Sequence, residues 1–252
     1  AIQIFSKVPV DEVRLAFAPD GDISRVDWSD ESHILPYDDI ASPLKPWLIA
    51  PMPVRSMIER LGREALPLVH PDNSKGIIVG IQTSADHIFH LKRLGRNRYC
   101  YTPVQVGKKL APVEVAIEDA LMKPLVSGVD AKRFIEPRPD TRLLFPYRVG
   151  PGAAVLLTQD EMRSEFPDAW KYLKSFEAEL RSREGAKFDD DKWYRMGRTQ
   201  NLDKQEQPKL LVPRLVARLG CFADDRGRFY CDNVDVGGVV PTRTEDIWLL
   251  AG

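Results

Sequence analysis

No apolar run in this chain approaches the roughly 18 residues that a membrane-crossing helix needs, and no basic-then-apolar leader opens it. We therefore expect a cytoplasmic protein. Cysteine is scarce. Cys100, Cys221 and Cys231 are an odd number without metal-ligand spacing, and in a cytoplasmic chain they stay reduced. Cys221 and Cys231 flank Asp225-Arg226-Gly227 symmetrically, a spacing that lets them face each other across a hairpin as half-buried apolar thiols. Histidine is scarcer than a metal site wants: His87 and His90 have no third ligand at suitable spacing, and His33 and His70 stand alone. Asp189-Asp190-Asp191 reads as a solvated acidic loop, not a cation site. No serine or cysteine occupies a recognisable nucleophile setting, so no active site is expected.

Net charge is also lacking, at −1, but the balance hides an asymmetry. Acids dominate the first fifty residues (Asp11, Glu12, Asp20, Asp22, Asp27, Asp30, Glu31, Asp38 and Asp39), whereas Lys92 to Arg148 is basic. It is the distribution, not the total, that bears on a polyanionic partner. The 252 residues allow one large domain, or one domain with part of another. The chain opens on Ala1, not Met, and we expect it to belong to something longer.

The stretch with most to say is Gly80-Ile-Gln-Thr-Ser-Ala-Asp-His-Ile-Phe89. It reads as a strand end, a small polar turn and a return strand, with Gly80 free to take a conformation closed to other residues. Between the apolar anchors sit Gln82, Thr83, Ser84, Asp86 and His87, all able to hydrogen-bond. Lys92, Arg93, Arg96, Arg98, Lys108 and Lys109 follow without an intervening acid and with Tyr99 and Tyr101 interleaved.

The remaining signals are local. Ala1–Phe5 alternates like a strand, and Trp47-Leu48-Ile49 is an apolar anchor. Val54, Met57, Ile58 and Leu61 have helical spacing with Gly62 as a stop, and Ile77–Val79 is a buried strand. Val113–Met122 suits a strand or a short helix. Thr141–Tyr147 and Ala154–Leu157 are strands about the turn Val149-Gly-Pro-Gly152. Thr158-Gln-Asp-Glu161 is a capping box, and Pro167 restarts the helix. Trp170, Leu173, Phe176 and Leu180 form one apolar face of a helix ending near Gly185. Strands follow at Lys209–Val216, Phe222–Tyr230 and Val234–Val240. Mixed elements without regular alternation imply an α+β, strand-rich fold with an amphipathic helix.

At this point the sequence resembles a known family. Gly80-Ile-Gln-Thr-Ser with Ile88-Phe89 is similar to the entry motif of the TaqI-like specificity domain. That domain is the target-recognition part of bacterial DNA adenine-N6 methyltransferases and fused restriction-modification enzymes. Leu121 to Phe134 resembles its Lys-Pro-Leu…Gly…Asp…Lys/Arg-aromatic segment, and Leu144-Phe-Pro-Tyr147 its strand ending in Pro-Tyr. Phe166-Pro-Asp-Ala-Trp-Lys-Tyr-Leu173 with Leu180-Arg-Ser-Arg183 resembles its helix, and Trp193-Tyr194 and Pro208-Lys209 match later landmarks. The resemblance covers roughly residues 47–245 in the right order. Ser84 departs from it, standing where the family more often has Gly, and the chain stops at Gly252 where a family member continues into a helix. The resemblance implies that residues 1–46 are the end of a preceding methyltransferase domain and a connector, Ala1–Lys7 being its last strand. Residues 47–252 would be the recognition domain. Its partners would be double-stranded DNA and the methyltransferase domain of the same parent, and the parent's methyl donor S-adenosylmethionine.

Nothing in this segment is expected to hold that cofactor. There is no Asn/Asp-Pro-Pro-aromatic motif, and the only Gly-rich candidate, Val149-Gly-Pro-Gly152, is explained by a hairpin turn. A recognition domain needs phosphate contacts for affinity and base contacts for sequence. Lys92, Arg93, Arg96, Arg98, Lys108 and Lys109 suit phosphates, with Lys132 and Arg133 as further candidates. Six such contacts would give a log-affinity against log-salt slope of about −5. Gln82, Arg96, Asn97, Arg98, Arg195, Arg198, Gln200 and Asn201 can pair with base edges, and Thr83, Ser84 and His87 lie in the same polar loop as Gln82. Trp193 and Tyr194 are expected to pack the core in preference to stacking on a flipped base. The competing reading is a non-catalytic protein-interaction or scaffold domain of the same fold, docking through the acidic first fifty residues. A third, a free-standing methyltransferase of unusual layout, would require this chain alone to bind the methyl donor.

Overall fold

A computed structural model describes residues 8, 10–14, 16, 18, 21–27, 34–40, 50, 52–105, 108–216, 220–233 and 235–251. The chain divides into two compact units, residues 1–67 and 68–252. In the first, strands β1 (Glu12–Arg14) and β2 (Ile34–Pro36) pair antiparallel, and helices α1 (Tyr37–Ile40) and α2 (Met52–Glu64) follow. The helix expected from Val54, Met57, Ile58 and Leu61 is there, but Gly62 does not stop it. A helical glycine costs only about 1 kcal/mol relative to alanine, and Arg63 and Glu64 continue the turn. All four apolar residues are exposed. The strand expected at Ala1–Phe5 and the anchor Trp47–Ile49 lie outside the described residues.

The second unit is α+β. Its strands are β3 (Ser74–Ile78), β4 (His90–Gly95), β5 (Arg98–Tyr101), β6 (Val104–Gln105), β7 (Lys108–Lys109), β8 (Val113–Ala116), β9 (Met122–Val126), β10 (Thr141–Leu144), β11 (Tyr147–Gly150), β12 (Ala153–Leu156), β13 (Lys209–Pro213), β14 (Phe222–Asp224), β15 (Tyr230–Cys231) and β16 (Val236–Pro241). A six-stranded sheet runs β15-β9-β10-β4-β5-β8, a four-stranded sheet β14-β13-β16-β3, and β6-β7 and β11-β12 are separate ribbons. Helix α3 (Asp86–Phe89) is a single turn; α4 (Gln159–Glu165), α5 (Pro167–Ser175) and α6 (Glu177–Ala186) are consecutive, and α7 is Ile247–Ala251. Among the described residues no helix is long and apolar enough to cross a membrane.

The main core forms where the six-stranded sheet receives α4 to α6. Leu91, Tyr99, Leu143 and Leu144 meet Trp170, Leu173 and Leu180 there. Trp193 and Tyr194 are core residues as expected, each only 1% exposed. The Trp193 ring lies 5.5 Å from that of Trp170, and the Tyr194 hydroxyl donates to the Leu157 carbonyl. The turn expected at Val149–Gly152 is there, narrowed to Pro151 and Gly152 between β11 and β12, since Val149 and Gly150 pair in the ladder. Pro167 opens α5, where its missing N–H is no loss.

Further expectations need correction. After Gly80 the chain does not turn straight into a strand: Asp86 takes the Thr83 hydroxyl, and α3 intervenes before β4. Gly80 is needed for close approach instead of unusual dihedrals, since an added Cβ would lie 2.3 Å from the Asp232 backbone. Of Ile77–Val79 only Ile78 is buried, because β3 is a sheet edge and its neighbours face solvent. Cys221 and Cys231 do not face each other: β14 and β15 join different sheets, the turn between them being held by the Asp224 carboxylate accepting from the Arg228 and Phe229 amides. All three cysteines are free.

The capping box has the reciprocal form. Thr158 Oγ1 accepts the Glu161 amide at 3.2 Å, and the Glu161 carboxylate accepts the Thr158 amide at 2.7 Å. The Thr158 amide, with help from Arg148 and the Thr158 hydroxyl, pulls the Glu161 carboxyl from its usual 4.5 down to about 2. A depressed carboxylate stabilises the fold fully above its unfolded pKa and loses that contribution as pH falls through the folded value. Glu161→Gln should therefore be less stable than wild type at pH 7 and converge on it as pH falls from about 4.5 to about 2. Urea unfolding across that range measures it.

Candidate nucleic-acid interface

The β4–β5 hairpin, inside the six-stranded sheet and next to its edge strand β8, carries the densest group of exposed cations that the sequence singled out. In the β4–β5 hairpin Lys92 pairs with Cys100, Arg93 with Tyr99 and Gly95 with Arg98, so Arg96 and Asn97 form the turn. Alternation places Lys92 and Arg98 on one face and Arg93 on the other. All four cations Lys92, Arg93, Arg96 and Arg98 are exposed. Arg142, opposite Leu91 on β10, shares the face of Arg93. Its guanidinium is held below its usual pKa, first by burial and then by the Arg93 charge. Sequence reading missed Arg142, because only the cross-strand register reveals that it stands beside the hairpin.

Acids not adjacent in sequence hold these cations. Arg98 meets Glu114 at 2.6 Å, and Arg93 lies 3.6 Å from Asp119. Asp119 also accepts the Tyr99 hydroxyl and the Asn97 amide, and the Tyr99 bond above all holds its carboxyl below the usual range. Asn97, with φ 53°, returns its side-chain oxygen to the Asp119 amide. It is a turn residue, and its side chain is committed to Asp119.

A second group joins two stretches that read as separate. The Arg198 amide donates to the Gln82 carbonyl at 3.1 Å, and Ser84 Oγ and Arg198 Nη1 both donate to Glu184. Ser84 has φ 56°, the left-handed region where glycine is at home. Thr83 is fully buried; its hydroxyl caps the Ala85 amide and donates to Asp86, so its side chain does not reach a ligand. His87 is half-buried against Glu179 at 2.6 Å. Behind the loop, the buried Arg183 donates to the Thr83, Leu180, Trp193 and Arg195 carbonyls.

Arg195 is a structural residue: it holds Asp190 at 2.6 Å and stacks on Phe188. Lys132 and Arg133 are exposed, but on a different element, the turn between β9 and β10, where Arg133 covers the Phe134 ring. Lys108 and Lys109 form strand β7 of the small ribbon, and their side chains lie outside what is described. Gln200 is exposed, and the carbonyl of Asn201 closes the following turn on Lys204. Among the described residues no group of His, Cys, Asp and Glu could hold a metal ion. No protein-family model matches the chain, and no curated protein matches it significantly.

Proposed function

We propose that residues 68–252 recognise a duplex DNA sequence and position an adenine-N6 methyltransferase on it. The observation that carries this is the β4–β5 hairpin, which gathers Lys92, Arg93, Arg96 and Arg98, with Arg142 beside it on β10, on both faces of adjoining strands. Cations on two faces suit the phosphates lining either wall of a groove. The ion pairs with Glu114 and Asp119 do not oppose the reading. Exposed pairs are worth roughly 0–1 kcal/mol, less than a phosphate offers in exchange. Base reading falls to Gln82, Ser84 and Arg198 in the second group. The Gly-rich turn being a β-hairpin supports placing the methyl transfer, from S-adenosylmethionine, in another domain of the parent.

Four phosphate contacts give a log-affinity against log-salt slope of about −3.6. Arg96→Glu/Arg98→Glu should halve that slope and weaken binding about 50-fold or more near 0.1 M salt. Fluorescence anisotropy with a labelled duplex measures both; unchanged affinity would remove the hairpin from the interface. The full-length parent should methylate adenine in one short site. The rival protein-interaction reading has one observation in its favour, the exposed apolar residues Val54, Met57, Ile58 and Leu61 of α2. Retained DNA affinity with a sequence preference would exclude it.

A further inference from the structure

A cavity of about 440 Å³ opens beside α3 and the start of β4, lined among others by Asp86, His90, Lys92, Tyr101, Leu125 and Asp232. Its polar side is rich in acceptors. His90 Nε2 has no hydrogen-bond partner and lies 3.8 Å from Asp86 Oδ1, too far for a direct bond. Burial holds His90 below its usual pKa and so favours the neutral ring, which has one nitrogen free to accept. Burial raises the carboxyl of Asp232, and the charges of Asp86 and Asp235 add to that effect while His90 opposes it. Two carboxylates and an unsatisfied imidazole thus face a space where Lys92 is, among the described residues, the one Lys or Arg in the lining. Tyr101 and Leu125 supply the apolar wall.

We propose that this cavity binds a small aliphatic ammonium, a mono- or diamine, with its N–H groups shared among Asp86, Asp232 and His90. The alkyl stem lies on Tyr101 and Leu125. A hydrogen-bonding organic cation fits better than a metal ion, because the described residues bring together no group of three His, Cys, Asp or Glu able to ligate one. The Asp86 carboxylate and the His90 imidazole, too far apart to bond each other directly, can each take a separate N–H, and apolar walls favour carbon over a hydrated ion. This goes beyond the DNA reading and does not depend on it.

The test is calorimetric titration of the whole chain, without DNA and at constant ionic strength, with n-butylamine and 1,4-diaminobutane. Saturable one-to-one binding is expected, weakened about tenfold in Asp86→Asn and in Asp232→Asn. Lys92→Gln, which removes the competing cation, should tighten binding about threefold, a gain that no folding defect produces. Arg96→Glu/Arg98→Glu, which tests the DNA reading, should leave amine binding unchanged. Absence of saturation overturns the proposal, as does equal binding of n-butanol or equal competition by magnesium chloride. Unaltered affinity in Lys92→Gln also overturns it, even if an aspartate variant fails to fold.

Discussion

Replacing Arg183 by leucine is expected to destabilise the 68–252 unit by about 3–5 kcal/mol, on the scale of losing a buried charged donor. The side chain is only 7% exposed, and its hydrogen bonds go to four carbonyls, those of Leu180, Thr83, Trp193 and Arg195. Desolvation, with repulsion from Arg195 behind it, lowers its pKa to about 10, so it stays charged at neutral pH. The guanidinium also covers the Phe188 ring at 4.0 Å, and leucine would keep some of that apolar contact. What leucine cannot replace is the planar fork of donors. Buried carbonyls left without them lose about 1–3 kcal/mol each before any relaxation. Lysine should recover only part of the loss, because one ammonium cannot span the same set of oxygens. The consequence reaches function. Arg183 ties the Thr83 carbonyl, next to Ser84, to the Arg195 carbonyl three residues before Arg198, so the Gln82–Ser84 and Arg198 group depends on it. Urea unfolding followed by tryptophan fluorescence gives the stability, and duplex anisotropy under conditions where the variant is folded gives the second effect. A loss below about 1 kcal/mol would mean that water satisfies these carbonyls in its place.

What the sequence discloses and what it conceals follow from the range of the interactions involved. The capping box, the Pro167 start, the Val149–Gly152 turn and the core roles of Trp193 and Tyr194 depend on neighbours within a few residues or on size and polarity, and all are legible. The close approach that requires Gly80 is not, because its partner, the Asp232 backbone, lies about 150 residues away. The candidate site shows the same limit more sharply. A count of charges along Lys92–Lys109 finds no acid, yet Glu114 and Asp119 meet Arg98 and Arg93 from β8 and the turn after it. Glu179 and Glu184 reach back to His87 and Ser84 from α6. Cations were therefore easy to find, and their partners were not. Arg142 shows the reverse failure: a strand residue whose neighbour across the sheet no local pattern names.

Asp224→Ala is expected to cost about 3–5 kcal/mol as well, for a different reason. Lys209 and Asp224 are wholly buried and 3.2 Å apart. Lys209 Nζ also donates to the Gln205 carbonyl at 2.5 Å, while Asp224 accepts the Arg228 and Phe229 amides, both at 3.0 Å. Removing the carboxylate thus strands an ammonium and two amides in one place. Lys209→Met should be milder, because the carboxylate keeps both amide donors. Asp224→Asn should fall between them, keeping an acceptor for one of those amides, setting its own NH2 against the other and leaving the ammonium charge unpaired. The order Asp224→Ala, Asp224→Asn, Lys209→Met, from most to least destabilising, separates this account from a simple pair energy. If the ion pair alone mattered, deleting either partner would cost the same. In a double-mutant cycle, Lys209→Met/Asp224→Asn should recover part of the Asp224→Asn loss, because it removes the orphaned charge while retaining a side chain that accepts from the turn. Equal losses from Asp224→Ala and Lys209→Met would instead assign the stability to the pair, and leave the turn between β14 and β15 to be held by the backbone alone.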